Sequence, residues 1–203
     1  MNPIELSSEL VLHPLALHDQ SAIAQLMRRI YPPAYAHFWL DDGDWYLESC
    51  YGIAGFRSDL EGEDSAYYRI DYQGQACGIL LLREHTNLLE FSGQSALKLQ
   101  KLYLGSEVHG LGLATQLMTF VENRARHLRK DLVWLEVMDE QPQAMRFYAK
   151  LDYQLLDTVQ LDFTRLLLEM RTMWQPIRRL TGNTKIDALS LRYIKSLEMK
   201  RET

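Results

Sequence analysis

One stretch constrains the fold more than any other: "ALKLQKLYLGSEVHGLGLATQLMTFVENRARHL". A β-prone run ends at a glycine, Gly110 and Gly112 follow, and an amphipathic pattern begins at once. Ala114, Leu117, Met118, Val121, Ala125 and Leu128 share one stripe, as expected of a helix packed on a sheet. Glycine inside a helix costs roughly 1 kcal/mol against alanine, so something must offset the pair at the helix mouth. Two readings are open: a tight turn that needs positive φ, or a ligand lying against bare backbone. The first amides of a helix lack intrahelical partners and attract anions. Ordinary helices favour Asp or Glu in that first turn, yet from His109 onward no carboxylate precedes Glu122. That absence is expected where phosphates supply the negative charge. A dinucleotide fingerprint is excluded because Thr115 stands where a third glycine is needed, and no Gly-Lys-Ser/Thr P-loop exists.

The rest of the chain reads as alternating elements. "DQSAIAQLMRRIYPP" is a first helix, capped by Asp19 and stopped by Pro32 and Pro33. "AYAHFWLDDGDWYLESCYG" is aromatic and acidic, with a turn signal at Asp42 and Gly43. "SAYYRIDY" and "QACGILLLRE" form a hairpin joined at Gln73 and Gly74. After the glycine segment, "LVWLEVM" is a strand covered on both faces, and Pro142 opens the helix "QAMRFYAKL". "TVQLDF" and "RLLLEMR" are a closing pair of strands. The order describes a mixed α/β sheet with helices on its faces.

Residues 1–174 are expected to form one domain. Residues 175–203 form a basic extension, with seven Lys or Arg against three Asp or Glu. Ile186, Leu189, Tyr193, Ile194 and Leu197 give it a short amphipathic helix, suited to docking on its own domain or a partner subunit. Overall the chain is 47% hydrophobic and 24% charged, enough for a real core, and its net charge of −5 argues against nucleic-acid binding. Two cysteines, Cys50 and Cys77, offer neither a disulfide framework nor a metal-ligand spacing, so a reduced, cytosolic setting without a metal is expected. No signal peptide is read in "MNPIELSSELVLHPL", and nothing approaches the ~20 apolar residues of a membrane span.

"LQKLYLGSEVHGLGLATQLM" resembles the acyl-CoA-binding motif of the GNAT acyltransferase superfamily: a strand, a Gln/Arg-x-x-Gly-x-Gly/Ala loop, then a helix. "LEVMDEQPQAMRFYAKLDYQLL" is similar to that superfamily's next segment, in the same order and spacing. The resemblance spans about residues 10–173 and is tight over 97–153. Within the superfamily, the spacing of "LQKLYL" is similar to that of bacterial members acting on polyamines or other small amines. It implies a mostly antiparallel central sheet, helices on both faces, and strands splayed at the acyl-CoA site. The implied activity is N-acetylation of a primary amine by acetyl-CoA, by direct attack in a ternary complex. A polyamine or amino-acid-like acceptor is expected, with a protein N-terminus or lysine, or acyl-CoA binding without catalysis, as alternatives. A homodimer is compatible with the family.

Carried over by position, the resemblance puts the CoA pyrophosphate on the amides of Leu111, Gly112, Leu113, Ala114 and Thr115, with His109 and Gly110 opening the loop. Leu102, Tyr103 and Leu104 would offer strand-edge groups to pantetheine, as an added strand would use them, with Gln141, Ala144 and Phe147 alongside. Tyr148 falls on the tyrosine that protonates the departing thiolate; its alternative is a core aromatic. Three residues depart from the pattern: His109 for Gln or Arg, Gln141 for Asn, and Asp152 for a turn glycine, where aspartate tolerates the left-handed conformation.

The chemistry also needs a base, because an amine must be neutral to attack a thioester. Lys98 and Gln100 stand where some relatives carry a carboxylate. Glu136 is the candidate base, with a structural ion pair as the alternative. For the acceptor, Asp41, Asp42 and Asp44 among Tyr35, Trp39 and Trp45 suit a cationic amine; a solvated acidic loop is the other reading.

Overall fold

The computed structural model describes residues 2–88, 91, 93–161, 165–167 and 172–180. Among the described residues nine strands form one sheet: β1 Ile4–Glu5, β2 Leu10–Pro14, β3 Ser65–Tyr72, β4 Gln75–Arg83, β5 Ala96–Leu104, β6 Leu132–Leu135, β7 Val137–Met138, β8 Gln154–Gln160 and β9 Thr172–Arg179. Their order is β1-β2-β3-β4-β5-β6-β9-β7, with β8 on β9. All pairings are antiparallel except β5 with β6. The helices are α1 Gln20–Ile30, α2 Pro32–Tyr35, α3 Asp44–Tyr51, α4 Ile53–Glu61, α5 Leu113–His127 and α6 Pro142–Lys150. This is the mixed, mostly antiparallel sheet that the sequence implies.

Strand alternation divides the core into layers. On β4, Leu80 and Leu82 face α5 and α6, whereas Ile79 and Leu81 face α1 to α4. α5 buries Leu113, Leu117, Met118, Val121 and Ala125 on the first layer. Burying such a side chain is worth about 1.5–3 kcal/mol for the larger ones, which anchors the glycine loop at the helix start. Arg178 ties three elements behind that layer, donating to Glu122 of α5 at 2.8 Å and to the Leu151 carbonyl at 2.6 Å. The β3–β4 hairpin turns at Gln73 and Gly74, φ 50° and 75°, two consecutive positive values typical of a type I′ turn.

One irregularity opens the sheet. β5 and β6 pair only from Ala96↔Leu132 to Leu99↔Leu135. Gln100 is then bulged: against β4 the register steps from Leu82↔Leu99 to Leu81↔Lys101. β5 continues along β4 to Leu104, while β7 pairs with β9. The strands therefore splay beyond Leu99 and Leu135.

Several sequence expectations change. β1 and β2 carry too few residues for a clear pattern and were not foreseen. The aromatic, acidic segment holds the end of α2 and all of α3, with α4 following it, elements that its turn signal at Asp42 and Gly43 does not reveal. Asp19 stands at the helix start but caps nothing there; its carboxylate accepts the Ala16 amide at 2.8 Å and closes the preceding 3-10 turn. "LVWLEVM" is two strands, because the chain leaves β6 at Glu136. The partner of β8 is β9, not "RLLLEMR", of which residues 168–171 lie outside the described residues. Gln175 to Arg179 belong to the sheet, and residues 181–203 of the extension, including its expected helix, lie outside the described residues. Among the described residues, no helix is long and apolar enough to cross a membrane.

Candidate active site

The glycine loop resolves one of the two readings. Gly110 and Gly112 have φ 80° and 76°, a left-handed backbone that side chains rarely adopt. A Cβ at either position would meet nothing within 4 Å. Conformation, not crowding, requires glycine here. α5 begins at Leu113 with Gly112 as its N-cap, no side-chain cap bond and no acid in the first turn. Open space thus meets unsatisfied amides and the positive end of a helix dipole, a combination that fits a phosphate group. His109 is exposed at the loop's start, and Leu111 is half-exposed at 51%.

The splay encloses a cavity of about 140 Å³. Residues 99–103 of β5 form one wall and 135–138 the other; Gln141 at the start of α6, Ala144 and Tyr148 on it, and Tyr35 of α2 extend the lining. Leu104 and Phe147 are not among the lining residues but pack against the α5 layer. Gln141 is buried, and its amide donates to the Ala34 carbonyl at 3.5 Å, joining α6 to α2.

Tyr148 stands on the α5 side of the cavity, against Phe147 at 5.2 Å and Tyr153 at 5.7 Å between ring centroids. Burial pushes its hydroxyl well above the ordinary tyrosine range, so it stays protonated. Glu136 lies on the other side, because β6 residues 132 and 134 share the layer opposite α5. Its Oε2 is 2.8 Å from Lys98 Nζ, and its Oε1 accepts from Gln175 Nε2 at 3.4 Å. The cavity thus joins a proton donor on one face of the sheet to a carboxylate on the other.

Tyrosines gather where the cavity meets α2 and α3. Tyr103 and Tyr46 share a hydroxyl hydrogen bond of 2.9 Å, and Tyr35 meets Tyr103 edge-on at 5.3 Å. Burial raises both the Tyr46 and Tyr103 hydroxyls, so this wall is uncharged. Of the expected acceptor residues, the structure brings only Tyr35 into the cavity wall. Trp39 is buried in the layer, donating to the Tyr31 hydroxyl at 2.9 Å. The three aspartates are drawn away by local structure: Asp41 accepts the Trp45 amide at 3.3 Å, Asp42 takes a left-handed turn at φ 55°, and Asp44 faces Arg28 at 3.9 Å. None of the three lines the cavity.

Sequence reasoning missed Lys101. It lines the cavity, is 8% exposed, and lies 2.6 Å from Asp59, which also pairs with Arg83 at 2.9 Å. In a regular strand, Lys98 and Lys101 would face opposite layers. The bulge at Gln100 turns both to the same one, and no sequence signal marks that bulge. Among the described residues, no cluster suits a metal.

Residues 23–153 match the Acetyltransferase (GNAT) family. The chain belongs to that family. One relative, an uncharacterized N-acetyltransferase of Lactobacillus delbrueckii subsp. lactis, is 29% identical over 104 residues, 51% of this chain. The chain spans 60% of that relative's length. Among solved structures, the ribosomal alpha-N-protein acetyltransferase RimL, in complex with coenzyme A, aligns with a TM-score of 0.60 at 15% identity, over 88% of this chain and 98% of its own. A chimera of the spermidine N-acetyltransferase SpeG from Vibrio cholerae and hSSAT aligns at 0.61 and 14%, over 85% and 96%. At these identities the two structures share its fold, and their acceptors belong to different classes.

Proposed function

We propose that the protein is an acetyl-CoA-dependent N-acetyltransferase whose acceptor is a small molecule presenting a primary amine on a short, uncharged arm. The observation that carries this reading is the cavity through the splayed sheet, with Tyr148 on the α5 side and Glu136 on the other. The pyrophosphate of the acyl donor rests on the amides of residues 111–115, and its pantetheine runs along the open edge of β5 at Leu102 to Leu104. The thioester then lies inside the sheet, between the two groups.

Glu136 takes a proton from the incoming ammonium, directly or through one water, so that nitrogen attacks as a neutral amine. Tyr148, uncharged across the physiological range, gives its proton to sulfur as the C–S bond breaks, and the second proton that nitrogen sheds on becoming an amide restores the phenol. The wall of Tyr35, Tyr103 and Met138 excludes water around the reacting carbon. An amino-acid-like amine suits this cavity better than a polyamine. Glu136 in the lining, and Asp59 against the lining Lys101, are already matched by Lys98 and Lys101, so neither supports a second cation. The aromatic wall of Tyr35 and Tyr103 supports a small acceptor over a peptide.

The test is a thiol-release screen with acetyl-CoA against amino acids and their amides, monoamines, polyamines and peptides. Turnover of the first two groups supports the reading. Preference for peptides or polyamines overturns the acceptor class, and coenzyme A binding without turnover overturns catalysis.

A further inference from the structure

The Glu136 carboxylate is held at both ends, by the ammonium of Lys98 and the amide of Gln175. Lys98 is itself fixed: its side chain is 12% exposed and its Nζ lies 4.4 Å from the centroid of the Trp134 ring. Trp134 cannot swing, because its indole N–H donates to the Thr86 carbonyl at 2.9 Å. Lys98 and Trp134 are register partners across the last paired stretch of β5 and β6, immediately before the strands part. The ion pair therefore stands at the apex of the splay.

We propose that Lys98, seated on Trp134, is the positioning residue that aims Glu136 into the cavity as the proton acceptor. The proposal rests on the reading of Glu136 as the base. A carboxylate bonded through both oxygens cannot rotate, yet each oxygen keeps a lone pair for an amine or a water.

Other charged groups around the site are accounted for. Lys101 faces the same cavity with its ammonium on Asp59. Arg83, the register neighbour of Lys98 on β4, is bound to the same Asp59 carboxylate. Tyr35 and Tyr148 stay neutral through burial, and Gln141 and Gln175 carry no charge. Lys98 is thus the cation that Glu136 meets in contact.

The experiment records kcat and KM for the intact chain and for Lys98→Met, Lys98→Arg and Glu136→Gln, with the best amine from the screen. Lys98→Met should lower kcat about tenfold, leave the acetyl-CoA KM near its original value, and be rescued by Lys98→Arg. An unchanged kcat in a folded Lys98→Met overturns the proposal. Should Lys98→Met fold poorly through its unpaired carboxylate, Lys98→Met/Glu136→Gln removes both charges. If Lys98 acts through Glu136, the double variant is no slower than Glu136→Gln alone; a further loss overturns the proposal. A Glu136→Gln as fast as the intact chain instead overturns the base assignment itself, a separate outcome.

Discussion

Replacing Gly112 by aspartate sets a small, calculable folding cost against a large binding cost. At φ 76°, with nothing within 4 Å of its Cβ, the new side chain strains the backbone and touches nothing else. A left-handed residue other than glycine costs about 1 kcal/mol, less for aspartate than for most. In a chain of this size that lowers Tm by about 2–4 °C. The binding cost has a different origin, since the carboxylate enters the space assigned to the pyrophosphate. Two unit charges about 4 Å apart repel by about 4 kcal/mol at an effective dielectric constant near 20. Salt and rearrangement of the side chain reduce this, so a tenfold rise in the CoA Kd, about 1.4 kcal/mol, is the conservative expectation. A matched control lies at Gly74 in the β3–β4 turn, with φ 75° and equally open surroundings. Gly74→Asp should reproduce the loss in Tm and leave CoA affinity unchanged. Calorimetric titration of CoA into the three proteins, with scanning calorimetry alongside, separates the two effects. Native-like affinity in Gly112→Asp, or equal weakening in both variants, refutes the anion site.

Tyr148→Phe keeps the ring contacts and should lower kcat at least about tenfold with little change in the acetyl-CoA KM; a rate within about twofold makes Tyr148 a packing residue. Because burial raises that hydroxyl, the proton stays on as pH rises, and kcat should show no basic limb from it up to about pH 10. Asp42→Asn and Asp44→Asn should leave the amine KM within about twofold, because surface charges of this kind contribute little; a clear rise returns the acidic turn to the acceptor site. Asp59→Ala strands the buried ammonium of Lys101 and should cost about 3–5 kcal/mol in urea unfolding, much of it recovered in Asp59→Ala/Lys101→Met. A loss below about 1 kcal/mol there would mean that Lys101 reaches water instead.

Much of this was legible where one local rule decides the structure. The glycine loop, the stripe on α5 and the Gln73–Gly74 turn each follow from backbone chemistry within a few residues, and the structure has them where the sequence puts them. Less was legible where distant contacts override local preference. The aspartates at 41, 42 and 44 look like a cation trap in one dimension, but helix initiation at Gly43 and the guanidinium of Arg28, a helix away, orient them elsewhere. Glu136 reads as part of an apolar strand, and only the departure of β7 toward β9 reveals why a charge is tolerated there. Lys101 was invisible because a single bulged residue reverses the direction of every side chain after it.

The free edge of β5 past Leu99 has a kinetic signature of its own. Along the part still paired with β4, successive amides point alternately toward that strand and into the cleft. Deuterium should therefore enter this one strand in a comb, with every second position slow and those between fast. A molecule that lies along the edge as a further strand would fill in only the fast teeth. Resolved amide by amide, the comb would give the footprint of such a molecule on a chain that is not turning over.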